Sequence, residues 1–369
     1  MFPDRGYRLL DRADMQGLLM REQWQTLPEH VSDPNPFFES WFLLSSVQAL
    51  VSAGNVRLFC SFAGGRLTGL MPVHRSRDYY GNPVPHLANW VHANSFCGLP
   101  LIASGHEHYF WQDLLDWADR EAGAGLFLHL SSIPADAACL DALRNIIGDQ
   151  GRKAVLVQSH ERAMLQSAET AQAYFNASLS SKKRKELRRQ QKRLSEEGNL
   201  CFLRQTGMED LGQWIESFLA LEHMGWKGAH GSALACDPAT QQMFCESVAG
   251  AAQAGRLERL SIRLDGRPIA MLANFVTPPG LFSFKTAYDE TYARFSPGVL
   301  LQQENLALLE RSDIHWADSC AAADHPMIER IWREKRRIIS VNIAIGGTLR
   351  RVLFGQIARM ETGGKQEGL

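Results

Sequence analysis

The chain has 369 residues, of which 45% are hydrophobic and 21% charged, with a formal net charge of −1. This is the composition of a globular protein that buries real cores, and it gives the chain as a whole no bias toward polyanions, so any such bias must be local. At about 150 residues per domain, the length predicts two domains. The N-terminus, MFPDRGYRLLDRADMQ, has Asp4, Asp11 and Asp14 where a secretory signal needs an apolar run. No stretch approaches the roughly 18 consecutive apolar residues of a membrane span. The seven cysteines are odd in number and show no CxxC spacing, which argues against a disulfide framework or a zinc site and for reduced thiols in the cytoplasm. No metal is expected.

Residues 1–160 read as one α/β unit. Phe37 to Ser52 has helical apolar spacing, and Val56 to Ala63 and Leu67 to Val73 form a hairpin around Gly64-Gly65. Pro72 to Pro100 is rich in Gly, Pro, Asn and His and reads as extended loop. A helix at Glu107–Glu121, a strand at Leu126–Leu130, a helix at Cys139–Ile147 and a strand at Ala154–Gln158 follow. Residues 161–173 read as a linker, and a second domain is expected over 174–359.

That domain opens with a basic helix, LSSKKRKELRRQQKRLSEEG, followed by a strand (Leu200–Gln205), a helix (Met208–His223), a loop (Gly225–Ala235) and a helix (Pro238–Ala254). Two strands (Leu257–Leu264, Ile269–Val276) lead into LFSFKTAYD, an aromatic-rich strand ending at Asp289. After a short polar loop, Ser296-Pro297-Gly298 opens a helix, with Ser at the N-cap and Pro in the first turn. A strand at Ile314–Asp318, a helix at Pro326–Arg336 and a strand at Ile338–Ile345 complete it, and residues 360–369 read as a flexible tail. A strand, a loop and an exposed helix N-terminus can bind an anion, because the first backbone N–H groups have no partner within the helix. A pyrophosphate would suit it, with Gly298 permitting close approach. An ordinary capped helix after a strand explains the same residues.

Three segments, the basic helix, LEHMGWKGAHGSAL (Leu221–Leu234) and AYD…SPG with its helix, resemble the GNAT acyltransferase superfamily, in particular the CelD/BcsL cellulose-biosynthesis-type group related to FemAB. The resemblance runs from about Tyr174 to Ile345. It implies an α/β (α+β) fold of tandem GNAT-like domains, each a mixed, mostly antiparallel sheet flanked by helices, the first one degenerate. It also implies acyl-CoA (acetyl-CoA) as co-substrate, bound by Arg294, Phe295, Ser296, Gly298, Val299 and Leu300. Two departures stand out. Arg294-Phe295-Ser296-Pro297-Gly298 does not fit the family's Gln/Arg-x-x-Gly-x-Gly/Ala loop, and Ala323-Asp324-His325-Pro326-Met327-Ile328 replaces a Gly-Asp-x-x-Tyr-Lys type of stretch.

Acyl transfer to an amine needs a base for the amine, polarisation of the thioester carbonyl and an acid for the leaving thiolate. Glu222, leaving a helix beside Gly225-Trp226-Lys227-Gly228, is the first choice of base. Lys285, Tyr288 and Asp289 lie where the GNAT strands splay apart, with Lys285 and Asp289 on one face of the strand, free to act or to pair with each other. Trp226, Lys227, Asp318 and His325 are the substrate-binding candidates, although the packing-anchor reading of Trp226 is the favoured one. Cys320 with His325 could form a nucleophilic pair, and His86, Asn89, His92 and Asn94 surround Trp90 either as a pocket or as a loop of satisfied polar groups. The basic helix can be a solvated face, a clamp for phosphates or an RNA contact. The expected activity is direct acyl transfer from acyl-CoA or an acyl-carrier-protein thioester to an amine or hydroxyl of a small-molecule or saccharide acceptor. The alternatives are an aminoacyl-tRNA-dependent transferase of FemAB type and a non-catalytic component of a polysaccharide-assembly complex; the near-zero net charge argues against nucleic acid.

Overall fold

The fold is that of a computed structural model, which describes residues 3–51 and 55–363. The described residues divide into two compact units, one formed from 1–47, 51–160 and 337–369 and the other from 48–50 and 161–336.

Both units are built on the same succession of strand pairings. In the first, Arg5–Leu10, Val56–Ala63, Arg66–Ser76 and His86–Asn89 pair antiparallel in that order. His86–Asn89 then runs parallel to Phe127–Pro134, which pairs antiparallel with Glu334–Ala344. In the second, Leu200–Thr206, Leu257–Leu264, Arg267–Thr277 and Gly280–Tyr288 pair antiparallel in order. Gly280–Tyr288 runs parallel to Trp316–Asp318, which pairs antiparallel with the end of Ala154–Leu165. A parallel step needs a crossover. In each unit that crossover contains a helix, Glu107–Glu121 in the first and Pro297–Asn305 in the second. The repeated mixed sheet flanked by helices is the tandem fold class expected, although no repeat is visible in the sequence.

The second domain is expected over 174–359, but residues 337–359 cluster with the first unit, because Ile338 to Ala344 hydrogen-bonds to Pro134 through Phe127. Residues 161–165, expected as linker, are strand: Leu165 and Met164 pair with Ala317 and Asp318. The helix expected over Pro326–Arg336 is only a 3₁₀ turn, Ile328–Arg330. Ile331 and Trp332 are buried in the core, and the Tyr174 hydroxyl accepts from the Arg333 N–H (2.7 Å) and donates to Glu334 (2.6 Å), so the chain leaves the turn extended. A helix that the sequence reading did not contain, Thr348–Thr362, takes in Met360 to Thr362 of the expected tail; residues 364–369 of that tail lie outside the described residues.

In the first unit, the space beside the parallel strands is filled by the chain itself. Asn89 Nδ2 donates to the Gly98 carbonyl (3.0 Å) and the Ser131 carbonyl (2.9 Å), and the Gly98 N–H donates to Ser132 O (2.8 Å). A Cβ on Gly98 would lie 2.1 Å from the Ser131 carbonyl oxygen. Gly98→Ala should therefore lower the stability of this unit by about 1–3 kcal/mol, the usual range for overpacking; an unchanged denaturant midpoint would show that the loop is not wedged there. The crossover helix also begins with Glu107, whose carboxylate accepts from the Gly105 N–H (3.1 Å). A carboxylate at that end repels a phosphate. His86 and Asn89 are buried and hydrogen-bonded to Val84 O and to the Gly98 and Ser131 carbonyls, and His92 stacks on Phe42 at 5.8 Å, so the polar residues around Trp90 are packed into the loop structure.

Candidate active site

Gly280–Tyr288 meets Trp316–Asp318 over only three residue pairs, Gly280 with Trp316 to Phe282 with Asp318. On its other side it stays paired as far as Tyr288 with Ala270. Beyond Asp318 the chain turns away through Cys320, which has φ of 52°. The stretch from Phe284 to Tyr288 thus faces an opening where a sheet neighbour would otherwise lie. The register with the preceding strand slips here, so that Ala273 opposes Lys285 and Asn274 opposes Ser283, leaving Phe284 as a bulge. A bulge re-aims the side chains that follow it. Phe284 goes into the core against Phe275 at 4.4 Å, and Lys285 comes next at the opening.

Lys285 is the most perturbed base of the cluster. Burial, followed by the neighbouring Lys227 ammonium, lowers its pKa to about 8, opposed by Glu222 and Cys320. The same elements bring His325 into the cluster, where burial, and to a lesser degree Lys227, lower the imidazole's pKa. Five sequence candidates, Glu222, Lys227, Lys285, Cys320 and His325, therefore converge.

Glu222, the expected base, is buried at the end of the helix Leu211–Met224 with both oxygens engaged. Oε1 pairs with Lys227 Nζ at 2.7 Å, and Oε2 accepts from the Leu234 N–H at 2.8 Å. A carboxylate held this way organises the Gly225–Leu234 loop. Asp289 caps the turn Glu290–Phe295: Oδ1 accepts from the Thr291 N–H (3.0 Å) and hydroxyl (2.6 Å), while Oδ2 pairs with Arg267 at 3.1 Å, not with Lys285. Asp318 is fully buried, with Arg162 at 2.7 Å, Arg336 at 3.5 Å and the Cys320 N–H at 2.9 Å. These partners make it the centre of a buried ion cluster. Trp226 is no packing anchor, because 54% of it is exposed, with its N–H donating to Glu290 at 2.8 Å and its ring edge-on to His230.

Beside the opening is a cleft of about 270 Å³ lined by Leu179 and Lys183 of the basic-helix region, Tyr288, Ser296 to Val299, and Met327, Arg330 and Ile331 among others. Of the expected cofactor residues, Ser296, Gly298 and Val299 line it. Phe295 and Leu300 are in the core, and Arg294 turns away to Glu197 at 2.9 Å. Ser296 holds the N-cap position with φ of 54°, and its hydroxyl makes no capping bond. Pro297 has no N–H, and those of Val299 and Leu300 donate back to Ser296 O at 3.0 and 3.1 Å, so this helix end offers an anion fewer donors than the sequence implies. Lys183 and Arg330 supply cationic charge instead. Met327 Sδ lies 2.7 Å from where a Gly298 Cβ would stand, so this flexible thioether covers the helix end and has to swing aside for a ligand to touch that backbone. The cleft is apolar with a cationic lining, which fits a pantetheine-like chain with phosphates. Lys183, Met327 and Arg330 were missed as site residues; only the basic helix hinted at Lys183. Among the described residues no group of side chains could hold a metal ion, and no helix is long and apolar enough to cross a membrane.

Comparison with curated protein sequences finds no match. By structure, the chain is similar to FemX (TM-score 0.59, 11% identity, 92% of this chain and 98% of that one covered). It is also similar to the C-terminal domain of a protein assigned as a lysylphosphatidylglycerol synthetase from Agrobacterium fabrum (0.54, 12%, 94% and 99%). A third similar structure is L-PGS from Bacillus licheniformis (0.54, 12%, 94% and 97%). At these identities the likeness is one of fold. In sequence, residues 181–325, which contain the basic helix, the Glu222 loop and the opened strand, match the acetyltransferase (GNAT) domain family.

Proposed function

We propose that the second unit is a GNAT acyltransferase of the CelD/BcsL type, moving an acyl group from acyl-CoA or a carrier-protein thioester directly to an amine or hydroxyl of a small-molecule or saccharide acceptor in the cytoplasm. The observation that carries this reading is Lys285, an amine with its pKa lowered to about 8, at the opening between parallel strands and on the strand that supplies Tyr288 to an apolar, cation-lined cleft. The thioester chain lies in the cleft with its phosphates near Lys183 and Arg330. Neutral Lys285 takes the proton from the acceptor's attacking nitrogen or oxygen as that atom bonds to the acyl carbon. The C–S bond breaks, and Tyr288 donates a proton to the leaving thiolate. Burial first, and then repulsion by the Lys227 ammonium, makes Lys285 easier to deprotonate, and Glu222 holds Lys227 in place. Trp226, exposed beside Lys227, offers a flat apolar surface to an acceptor such as a saccharide.

One observation favours an aminoacyl-tRNA donor as the second reading. On the helix Ser181–Glu196, Lys182, Lys185, Arg188, Arg189, Lys192 and Arg193 are exposed, a stripe that suits a phosphate backbone. Calorimetric titration separates the readings. Acetyl-CoA should bind saturably, and Gly298→Glu, which places a carboxylate in the cleft, should lower its affinity at least about tenfold. Salt-sensitive tRNA binding without CoA binding would favour the second reading. Neither, with a stable protein partner recovered, would leave a non-catalytic component.

A further inference from the structure

We propose that the outer face of the helix Thr348–Thr362, in the first unit, docks on an anionic lipid surface. The inner face of this helix is accounted for. Phe354 and Ala358 are buried in a cluster with Tyr79, Phe127, Val155 and Ala344. The outer face carries Leu349, Val352, Leu353 and Met360, which are 84%, 56%, 55% and 77% exposed. At about 100° per residue, these four and Gln356 fall within one arc of roughly 100°. A surface helix of a globular protein points such an arc at the core, whereas here the arc points at solvent.

The charges select the occupant. By the same spacing, Arg359 borders the arc on one side and Arg350 on the other, with the Arg350 guanidinium donating to Gly123 O at 2.8 Å through one nitrogen. The helix has one acid, Glu361, and it is engaged away from the arc: the Tyr79 hydroxyl donates to Oε1 at 2.5 Å and Asn342 Nδ2 to Oε2 at 3.3 Å. The arc is therefore an apolar strip with cationic borders, and Glu361, itself exposed, lies outside it beyond Arg350, the pattern of a helix lying in the interface of an anionic bilayer. A second copy packed on this face through a two-fold axis would oppose the same cationic borders, which repel.

The test is co-sedimentation of the full chain with vesicles of phosphatidylcholine alone and of phosphatidylcholine with about one third phosphatidylglycerol, alongside light scattering of the protein alone. Binding to the anionic vesicles only, reduced at least tenfold in Leu349→Asp with Leu353→Asp, is expected. Both positions are exposed, so that variant should keep the wild-type unfolding midpoint. Arg359→Glu should weaken binding and flatten its salt dependence. No vesicle binding by the wild type, equal binding to both vesicle types, or binding unaltered in the double variant would each overturn the proposal. A dimer that dissociates in the double variant, with no vesicle binding, would overturn it in favour of a second copy.

Discussion

Replacing Lys285 by Gln should lower the acyl-transfer rate by about 10²–10⁴-fold, the usual contribution of a positioned base, with KM for the donor little changed and the unfolding midpoint preserved. The direction of the pH dependence follows from the amine's chemistry. Lys285 acts only when neutral, so the wild-type rate should climb as pH rises through about 8 and level off above it. A base of ordinary carboxylate pKa would give a profile already flat at that pH. Lys227→Gln removes the nearest repelling ammonium and leaves Glu222 attracting a proton toward Lys285, so the inflection should move to higher pH. That shift is the signature that separates a positioning role for Lys227 from a structural one. If Lys285→Gln retained full rate, or the Lys227→Gln profile stayed where the wild-type profile lies, the assignment of the base would be wrong.

The second large effect is on stability. Asp318→Ala should destabilise the protein by about 3–5 kcal/mol, because it removes the buried carboxylate that Arg162 and Arg336 share. For a unit of this size the melting point should fall on the order of 10 °C. Asp318→Asn keeps the shape and part of the hydrogen bonding to Arg162 and to the Cys320 N–H, and should cost less. Wild-type stability with lost activity in Asp318→Ala would return this residue to the substrate side.

The order of elements in the second unit was legible because each carries its own local signal: the alternation of Leu257–Leu264, the basic face of Ser181–Glu196, and Ser-Pro-Gly ahead of Pro297–Asn305. What the sequence could not provide was which polar groups would find each other. Glu222 and Lys227 are five residues apart, yet their pairing depends on the turn at Gly228, where a Cβ would lie 1.8 Å from the His223 carbonyl oxygen. Asp318 looked available until Arg162 and Arg336, 156 residues before it and 18 after it, neutralised it. Lys285 and Asp289 share a strand face in sequence, but Arg267, across the hairpin, takes the carboxylate. The helix Thr348–Thr362 was invisible for a different reason. Its apolar residues are spread over both the buried and the exposed faces, so its sequence has no single stripe.

In the proposed mechanism one unit holds the donor, while the other has closed its equivalent opening with Asn89, Gly98 and Glu107. Hydrogen exchange of the full chain with and without saturating acetyl-CoA tests that directly. Slowed exchange confined to residues 179–183, 284–300 and 326–331 is the predicted result. Protection centred instead on residues 89–107, or none at any concentration, would contradict it.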